Sequence, residues 1–547
     1  MKVLRGIPAA PGLAIGPALT IRSAPPVDLQ EQREADSPEE ALHLEQAIIR
    51  AATFLEKLQR TASNPLAEIL AAQREMLDDP ELKQKSIELI ESGSSAAAAI
   101  TRVTASYAEQ LAHLSDPYLA ARAEDVREAG RRIVAELRGF TSTIELNQPT
   151  ILVARDLSPA ELVGLDPHFL LAVVTETGSA TGHLAIVAQG LDIPAVVGVE
   201  GALDETLAPC TLIVDGERGS VTLDPDLEQR AEIKQRLAQA RNDRRNLEVY
   251  RDRPGLTADK VWVEVFANIG SQAEAQKAVE MGAEGVGLFR TEFLAALGLP
   301  TEDAQFKIYE EVASLLRSPL IVRTFDIGGD KPVPGLDIPA EANPFLGWRG
   351  IRLGLDRPEE VFLPQIRALL RAAINHDIRI MLPMIATPQE VEQALELIAR
   401  ARRDLEATGY TLRHVPLGIM VETPAAALTI DQFVDLIDFA SIGTNDLVQY
   451  TYAVDRTNTR VRERAHPLGI ATLRLIEQIC QAGVPVAVCG QLASDPAAIP
   501  LLVGLGVREL SVAPARVSSV KHILSTMTLA EMQERAQEAL GKTRANW

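Results

Sequence analysis

The second half of the chain is dominated by one alternation, strand-like runs separated by helical ones. The strand runs are Val261–Ala267, Gly285–Phe289, Leu320–Thr324, Ile378–Pro383, Gly418–Glu422, Phe439–Gly443, Val484–Cys489 and Glu509–Val512. Eight such runs in about 280 residues match the count and size of a (β/α)8 barrel. A doubly wound open sheet is the competing arrangement, and the strand count favours the barrel.

The first half reads differently. Arg5–Ala18 is rich in Gly and Pro and suits turns and short strands. A helical block follows, opened by Ser37-Pro38-Glu39-Glu40, a serine cap with proline and glutamate behind it. Leu44, Ile48, Ala51, Leu55 and Leu58 fall on one helical face. Ile100, Val103, Tyr107, Leu111 and Leu114 form a second stripe, and Leu119, Ala123, Val126, Ile133 and Leu137 a third. Such stripes are expected to be bundle core. Near residue 145 strand runs return (Thr150–Ala154, Leu171–Thr175, Thr211–Asp215), so the helical block reads as an insertion into a small α/β domain. Pro225 then opens a charged helix that Pro254-Gly255 closes; its simplest reading is a connector, with a core helix as the alternative. The expected division is an α/β domain of 1–24 and 144–224, an inserted helical subdomain of 25–143, a linker helix of 225–256 and the barrel of 257–547.

Charge and cysteine content narrow the function. The 54 Lys and Arg face 75 Asp and Glu, a net charge of −21. A general nucleic-acid binder or a protein of anionic membrane surfaces needs a basic footprint. A small anionic substrate remains compatible, because a few focused arginines suffice for it. The three cysteines, Cys210, Cys480 and Cys489, show no paired spacing and suit a reducing compartment. No signal-peptide core and no run of about 18 apolar residues is found. A cytoplasmic protein is expected.

Catalytic residues of a (β/α)8 barrel lie at the C-terminal ends of its strands. Those ends carry Arg290, Arg323, Glu422, Asn445, Asp446 and Cys489, with Arg456 shortly after and Arg349 in the connection after the third strand. Arginines present planar donors suited to phosphate and carboxylate oxygens. Glu422 and Asp446 are hard ligands of the kind Mg²⁺ takes together with substrate phosphate oxygens. Together they point to phosphoryl chemistry on a small, multiply anionic substrate. Structural ion pairing is the alternative for any one of these residues. Cys489, beside Gly490 and facing the cations, is expected to have a lowered thiol pKa and to transfer a proton.

His183 stands apart. In Gly178-Ser-Ala-Thr-Gly-His183-Leu-Ala-Ile-Val-Ala188 a glycine-rich turn runs into a helical pattern. The free N–H groups of a helix N-terminus suit a phosphoryl group on the imidazole. A neutral histidine is a competent nucleophile near pH 7.

These residues resemble the Enzyme I family of the bacterial phosphotransferase system, the phosphoenolpyruvate–protein phosphotransferases, over essentially the whole chain. The resemblance is carried by Gly6–Gly12, Leu191–Gly198, Gly285–Phe293, Val322–Lys331, Val421–Ala426 and Ser441–Leu447. It implies an α/β multidomain architecture, with a swivelling α/β phosphohistidine domain, an inserted α-helical subdomain and a C-terminal (β/α)8 TIM barrel. It implies that His183 accepts the phosphoryl group of phosphoenolpyruvate and passes it to the carrier protein HPr, which docks on the helical insert. It implies that Arg290, Arg323, Lys331, Arg349, Asn445 and Arg456 hold the substrate. Glu422 and Asp446 would bind Mg²⁺, Cys489 would protonate the enolpyruvate carbon, and the barrel would form a homodimer. The chain departs from the family pattern at Gly182, commonly a serine, and at Gln491, commonly a glutamate. Phosphoenolpyruvate synthase and pyruvate phosphate dikinase share these domains but require a nucleotide-grasping domain, and no Walker-type loop is present. A non-catalytic sensor of phosphoenolpyruvate would not need the intact nucleophile, arginine and metal-ligand set.

Overall fold

The structure, a computed structural model, describes residues 2–541 except 22–26, 33–36, 60–73, 75, 78, 113–116, 140–145, 158–160, 163–164, 167, 179–182, 192, 296–297, 332, 340 and 459. The chain divides into two compact units, Met1–Asn242 and Asp243–Trp547.

The first unit is built on a sheet of β1 (Lys2–Arg5), β2 (Ile7–Ala10), β3 (Leu13–Ile21), β4 (Thr150–Ala154), β5 (Leu170–Thr175), β6 (Ala195–Val197), β7 (Thr211–Asp215) and β8 (Ser220–Leu223). Their order is β1-β8-β7-β3-β4-β5-β6-β2, with β3 to β6 parallel and the outer pairings antiparallel. Thr-Ile-Leu-Val-Ala in β4 is buried at every position, as a central strand covered on both faces must be. Ile151 and Val153 pack on one side with Val174 and Val214. Leu152 packs on the other with Val173 and with Leu184 and Ala188 of α5 (His183–Gly190). This is the period-two alternation of a strand.

Between β3 and β4, which pair directly, lie α1 (Ser37–Gln59), α2 (Pro80–Glu91), α3 (Ala96–Ala112) and α4 (Pro117–Arg138). Leu44, Ile48, Ala51 and Leu55 of α1, Ile100 and Val103 of α3 and Ile133 of α4 join the same core as Leu152. Burying each large aliphatic side chain contributes about 2 kcal/mol. The striped faces are therefore core, as their spacing implied; the side chains of Leu58, Leu114 and Leu119 lie outside the described residues.

The connector helix α6 (Leu227–Arg251) buries little: Ile233 is covered, while Leu227 and Val249 are exposed. At 1.5 Å per residue it extends about 37 Å. Its last carbonyl is not left orphaned, because Lys521 Nζ donates to Arg251 O at 3.0 Å and to Gly282 O at 2.6 Å.

The second unit is a closed barrel of eight parallel strands, β9 (Glu264–Ile269), β10 (Val286–Arg290), β11 (Leu320–Arg323), β12 (Ile378–Leu382), β13 (Leu417–Val421), β14 (Phe439–Ile442), β15 (Val486–Val488) and β16 (Glu509–Val512). Pairing of β16 with β9 closes the ring and excludes the open sheet. Every expected strand run forms a strand. Val265, Ala267 and Ile269 face outward onto the helices. Leu288, Ile321, Met381, Met420 and Phe439 meet inside, so the barrel is filled by side chains, as its size requires. Among the described residues no helix is long and apolar enough to cross a membrane.

Candidate active site

The strand ends deliver the expected residues to one rim. Arg290 and Arg323 are the last residues of β10 and β11, Glu422 follows β13 and Cys489 follows β15. Asn445 and Asp446 lie in the first turn of α7 (Thr444–Tyr452), directly after β14 and Gly443. An acidic residue in a helix's first turn is favoured by the dipole.

Lys331 and Arg349 reach this rim because the connection after β11 folds back on itself. Gly328 and Gly329 take φ of +91° and +57°, and a Cβ on either would sit 2.3 Å from a backbone oxygen, Trp348 O or Pro344 O. Only glycine allows that approach. Gly328 pairs by backbone bridges with both Lys331 and Arg349.

The result is a buried ionic cluster centred on Asp326. Arg349 grips it with both faces of its fork, Nε to Oδ1 at 3.2 Å and Nη2 to Oδ2 at 2.9 Å. Lys331 Nζ donates to Asp326 Oδ2 at 2.5 Å, and Arg323 Nη2 lies 3.3 Å from the same oxygen. Burial raises the cost of the Asp326 charge, yet Arg323, Lys331 and Arg349 overcome it and hold the carboxyl well below the usual range. Glu292 forms the outer wall, accepting from Arg323 Nη2 at 2.6 Å and lying 3.5 Å from Lys331 Nζ. Arg349 Nη1 comes within 3.3 Å of Asp330 and 3.8 Å of Asp446, and Arg456 Nη1 within 3.1 Å of Asp446. Asn445 is half-buried and its Oδ1 accepts from the Gln491 backbone at 3.1 Å. Arg290 is half-buried on the side of Cys489, whose thiol feels its charge.

Glu422 and Asp446 form a like-charged pair. Burial first, then Asp446 and Asp326, pushes the Glu422 carboxyl up to about 8. Its Oε1 accepts from Met384 N at 2.7 Å, which the left-handed Met384 (φ +56°) turns toward it. Gly443 is needed between the two acids, since a Cβ there would lie 2.9 Å from Glu422 Oε2. Asp446 Oδ1 is buried and is held by ion pairs with Arg456 and Arg349, not by a hydrogen bond of good geometry. Two hard carboxylates crowded together fit a divalent cation whose other ligands come from substrate and water. Among the described residues no third acid, histidine or cysteine joins them.

Cys489 corrects one expectation. Its thiol is buried and its pKa is pushed up to about 11, chiefly by loss of solvent, with Ser441, Arg323 and Arg290 pulling back only in part. The expected lowering needs exposure or a dominant cation, and neither is present. A thiol held protonated still suits a proton donor.

In the other unit, His183 is the first residue of α5, as the turn-then-helix pattern implied. Its side chain, and Gly182 before it, lie outside the described residues.

Asp326 and Glu292 were not among the residues singled out from the sequence. Both sit within motifs that carry the resemblance, and the signal was available as charge balance: buried arginines at strand ends need counter-ions of their own.

The PEP-utilising enzyme, PEP-binding domain family matches residues 244–529, the PEP-utilising enzyme, mobile domain family 146–219, and the PEP-utilising enzyme, N-terminal family 5–122. The phosphoenolpyruvate-protein phosphotransferase of Staphylococcus carnosus is 38% identical, over 98% of this chain and 96% of that protein. That of Mycoplasma capricolum is 36% identical over 98% and 96%, and that of Listeria monocytogenes 36% over 100% and 97%. Enzymes of the PEP-utilising family need a divalent metal, for which Glu422 and Asp446 are suitable donors. With these relatives matched over nearly all of its length and three family domains in order, this chain belongs to the phosphoenolpyruvate-protein phosphotransferase family.

Proposed function

We propose that the chain takes the phosphoryl group of phosphoenolpyruvate onto His183 and passes it to the carrier protein HPr, starting a sugar phosphotransferase system. The observation that carries this reading is the cluster of Arg323, Lys331 and Arg349 around Asp326, facing the Glu422 and Asp446 pair on one rim. Arg290, Arg323, Lys331, Arg349, Asn445 and Arg456 hold the phosphate and carboxylate of the substrate. Glu422 and Asp446 hold Mg²⁺, which supplies charge neutralisation at the phosphoryl oxygens when bound.

A ring nitrogen of His183 attacks phosphorus, the bond from phosphorus to the enol oxygen breaks, and the electron pair stays on that oxygen as enolate. The arginine donors stabilise charge on the phosphoryl oxygens as it redistributes. Cys489 then gives its proton to the methylene carbon, leaving pyruvate. Its raised pKa keeps that proton in place near neutral pH. His183 belongs to the first unit and the rim to the second, and α6 is the segment that joins them. The helices within 25–143 are the HPr-docking subdomain, the barrel is the dimerising domain, and the cytoplasm is the compartment where phosphoenolpyruvate and HPr meet.

The test is incubation with ³²P-phosphoenolpyruvate and Mg²⁺. An acid-labile, base-stable label on the wild type that is lost in His183→Ala is expected. No label, or undiminished label on the variant, overturns the assignment.

A further inference from the structure

Two carboxylates bind the same cations on this rim, and their settings differ. The Asp326 side chain is 1% exposed and contacts Arg323, Lys331 and Arg349, the last through a two-point fork. Glu292 is 14% exposed and uses one oxygen only, on Arg323 and Lys331. Its second oxygen, Oε2, is buried without a hydrogen bond. Arg323 Nε is likewise buried and unbonded. Arg323 Nη2 and Lys331 Nζ are each shared between Glu292 on the outside and Asp326 within.

We propose that Glu292 is a displaceable counter-ion that sets the anion selectivity of the rim, while Asp326 is the fixed positioning residue that keeps the three cations in register. The proposal rests on phosphoenolpyruvate binding at these cations. An anion approaching Arg323 and Lys331 must compete with Glu292 for Nη2 and Nζ. A half-unbonded carboxylate loses less by moving than one gripped by a bidentate guanidinium. A monoanion offers those cations no more than Glu292 already does. A phosphate dianion offers more charge and more acceptor oxygens, so it wins the exchange. Glu292 thereby raises the threshold an anion must pass, a form of specificity that works by opposing the wrong ligand. Asp326 acts through the arginines and does not itself face the exchange: removing it leaves Arg349 and Lys331 without the group that aims them.

The experiment compares Glu292→Gln, Asp326→Asn and Arg349→Ala. The full-length His183→Ala enzyme with Mg²⁺ is used for calorimetric binding of phosphoenolpyruvate and of pyruvate, a monoanion, and the histidine-intact enzyme for KM and kcat. Glu292→Gln is expected to bind pyruvate about fivefold or more tighter, with a smaller gain for phosphoenolpyruvate, so that the preference for the phosphorylated anion narrows. Asp326→Asn is expected to weaken phosphoenolpyruvate binding tenfold or more and to raise KM more than it lowers kcat. Unchanged or weaker pyruvate binding in Glu292→Gln overturns the counter-ion role. Parallel losses in both carboxylate variants do so as well, because they make the pair merely structural. Should Asp326→Asn not fold, the Glu292→Gln result alone decides. If Arg349→Ala leaves phosphoenolpyruvate binding untouched, the failure lies in the assignment of the binding site.

Discussion

The two ends of the barrel are made by the same eight strands and have opposite electrostatic character. At the C-terminal rim, Asp326 is shared by three cations and Asp446 by two. At the N-terminal floor, Glu264 and Glu509 stand at the same register on neighbouring strands, with Arg379 of β12 as the nearby cation. Burial, with Glu264 adding to it, pushes the Glu509 carboxyl up to about 8, and its Oε1 has no hydrogen bond. The rim spends its charges on each other and on a ligand, whereas the floor holds a carboxyl that is tolerated by staying protonated. In this fold conserved chemistry belongs to the rim and the floor bears on stability, and the two clusters express that division in charge pairing.

The sharpest way to break the contrast is at the metal pair. Glu422→Gln removes one of two hard ligands, and the rate of phosphoryl transfer should fall about 1,000-fold at fixed Mg²⁺, with partial recovery at higher metal. In the wild type the Mg²⁺ requirement should steepen as pH falls below about 8, because protonation of Glu422 competes with metal. A Mg²⁺ titration between pH 6 and 9 checks both; a flat requirement across that range would separate Glu422 from the metal.

Next in size is Cys489→Ala, expected to slow pyruvate release about 100-fold while His183 still labels. Rapid-quench measurement of label against pyruvate distinguishes the two steps. In the wild type, iodoacetamide should react with Cys489 more slowly than with a solvent-exposed thiol, since burial keeps it protonated. Rapid alkylation at pH 7 would contradict the geometry.

Arg349→Lys preserves the charge but loses the fork on Asp326. KM for phosphoenolpyruvate should rise about tenfold with a melting temperature within a few degrees of wild type. Equal loss in KM and melting temperature would make the rim cluster a stability device, as the floor is.

The smallest effect on rate, and the converse effect on stability, is expected at the floor. The folded pKa of Glu509 lies above its unfolded value, so the folded state binds the extra proton and stability declines as pH rises from about 4.5 to about 8. Glu509→Gln removes that loss. Its melting temperature should exceed the wild type's by a few degrees at pH 8.5 and match it near pH 4.5, with kcat within twofold. A large drop in kcat would give the floor a role the comparison denies it.

Much of this was legible beforehand because it is local. Strand runs, helical stripes and the turn before His183 are patterns within a few residues, and residues at strand ends follow from them. The fork of Arg349 on Asp326 was not, because it joins positions 23 apart through a connection folded by Gly328 and Gly329. Glu292 and Asp326 are hidden for the same reason: the motifs display the cations that suit an anionic substrate, and only packing decides which acid each cation holds. The direction of the Cys489 shift is not legible in the motif, which displays neighbouring cations but not the depth of burial that outweighs them.

The amino-acid sequence by itself determined the barrel, the interrupted α/β sheet and the set of residues on the rim, since periodicity and strand termini are encoded in short stretches. Only the tertiary structure decided which charges pair, which oxygen stays unbonded and whether a thiol or a carboxyl keeps its proton. Those depend on Coulomb interactions at 3–4 Å and on exclusion of water, and both arise where distant segments meet.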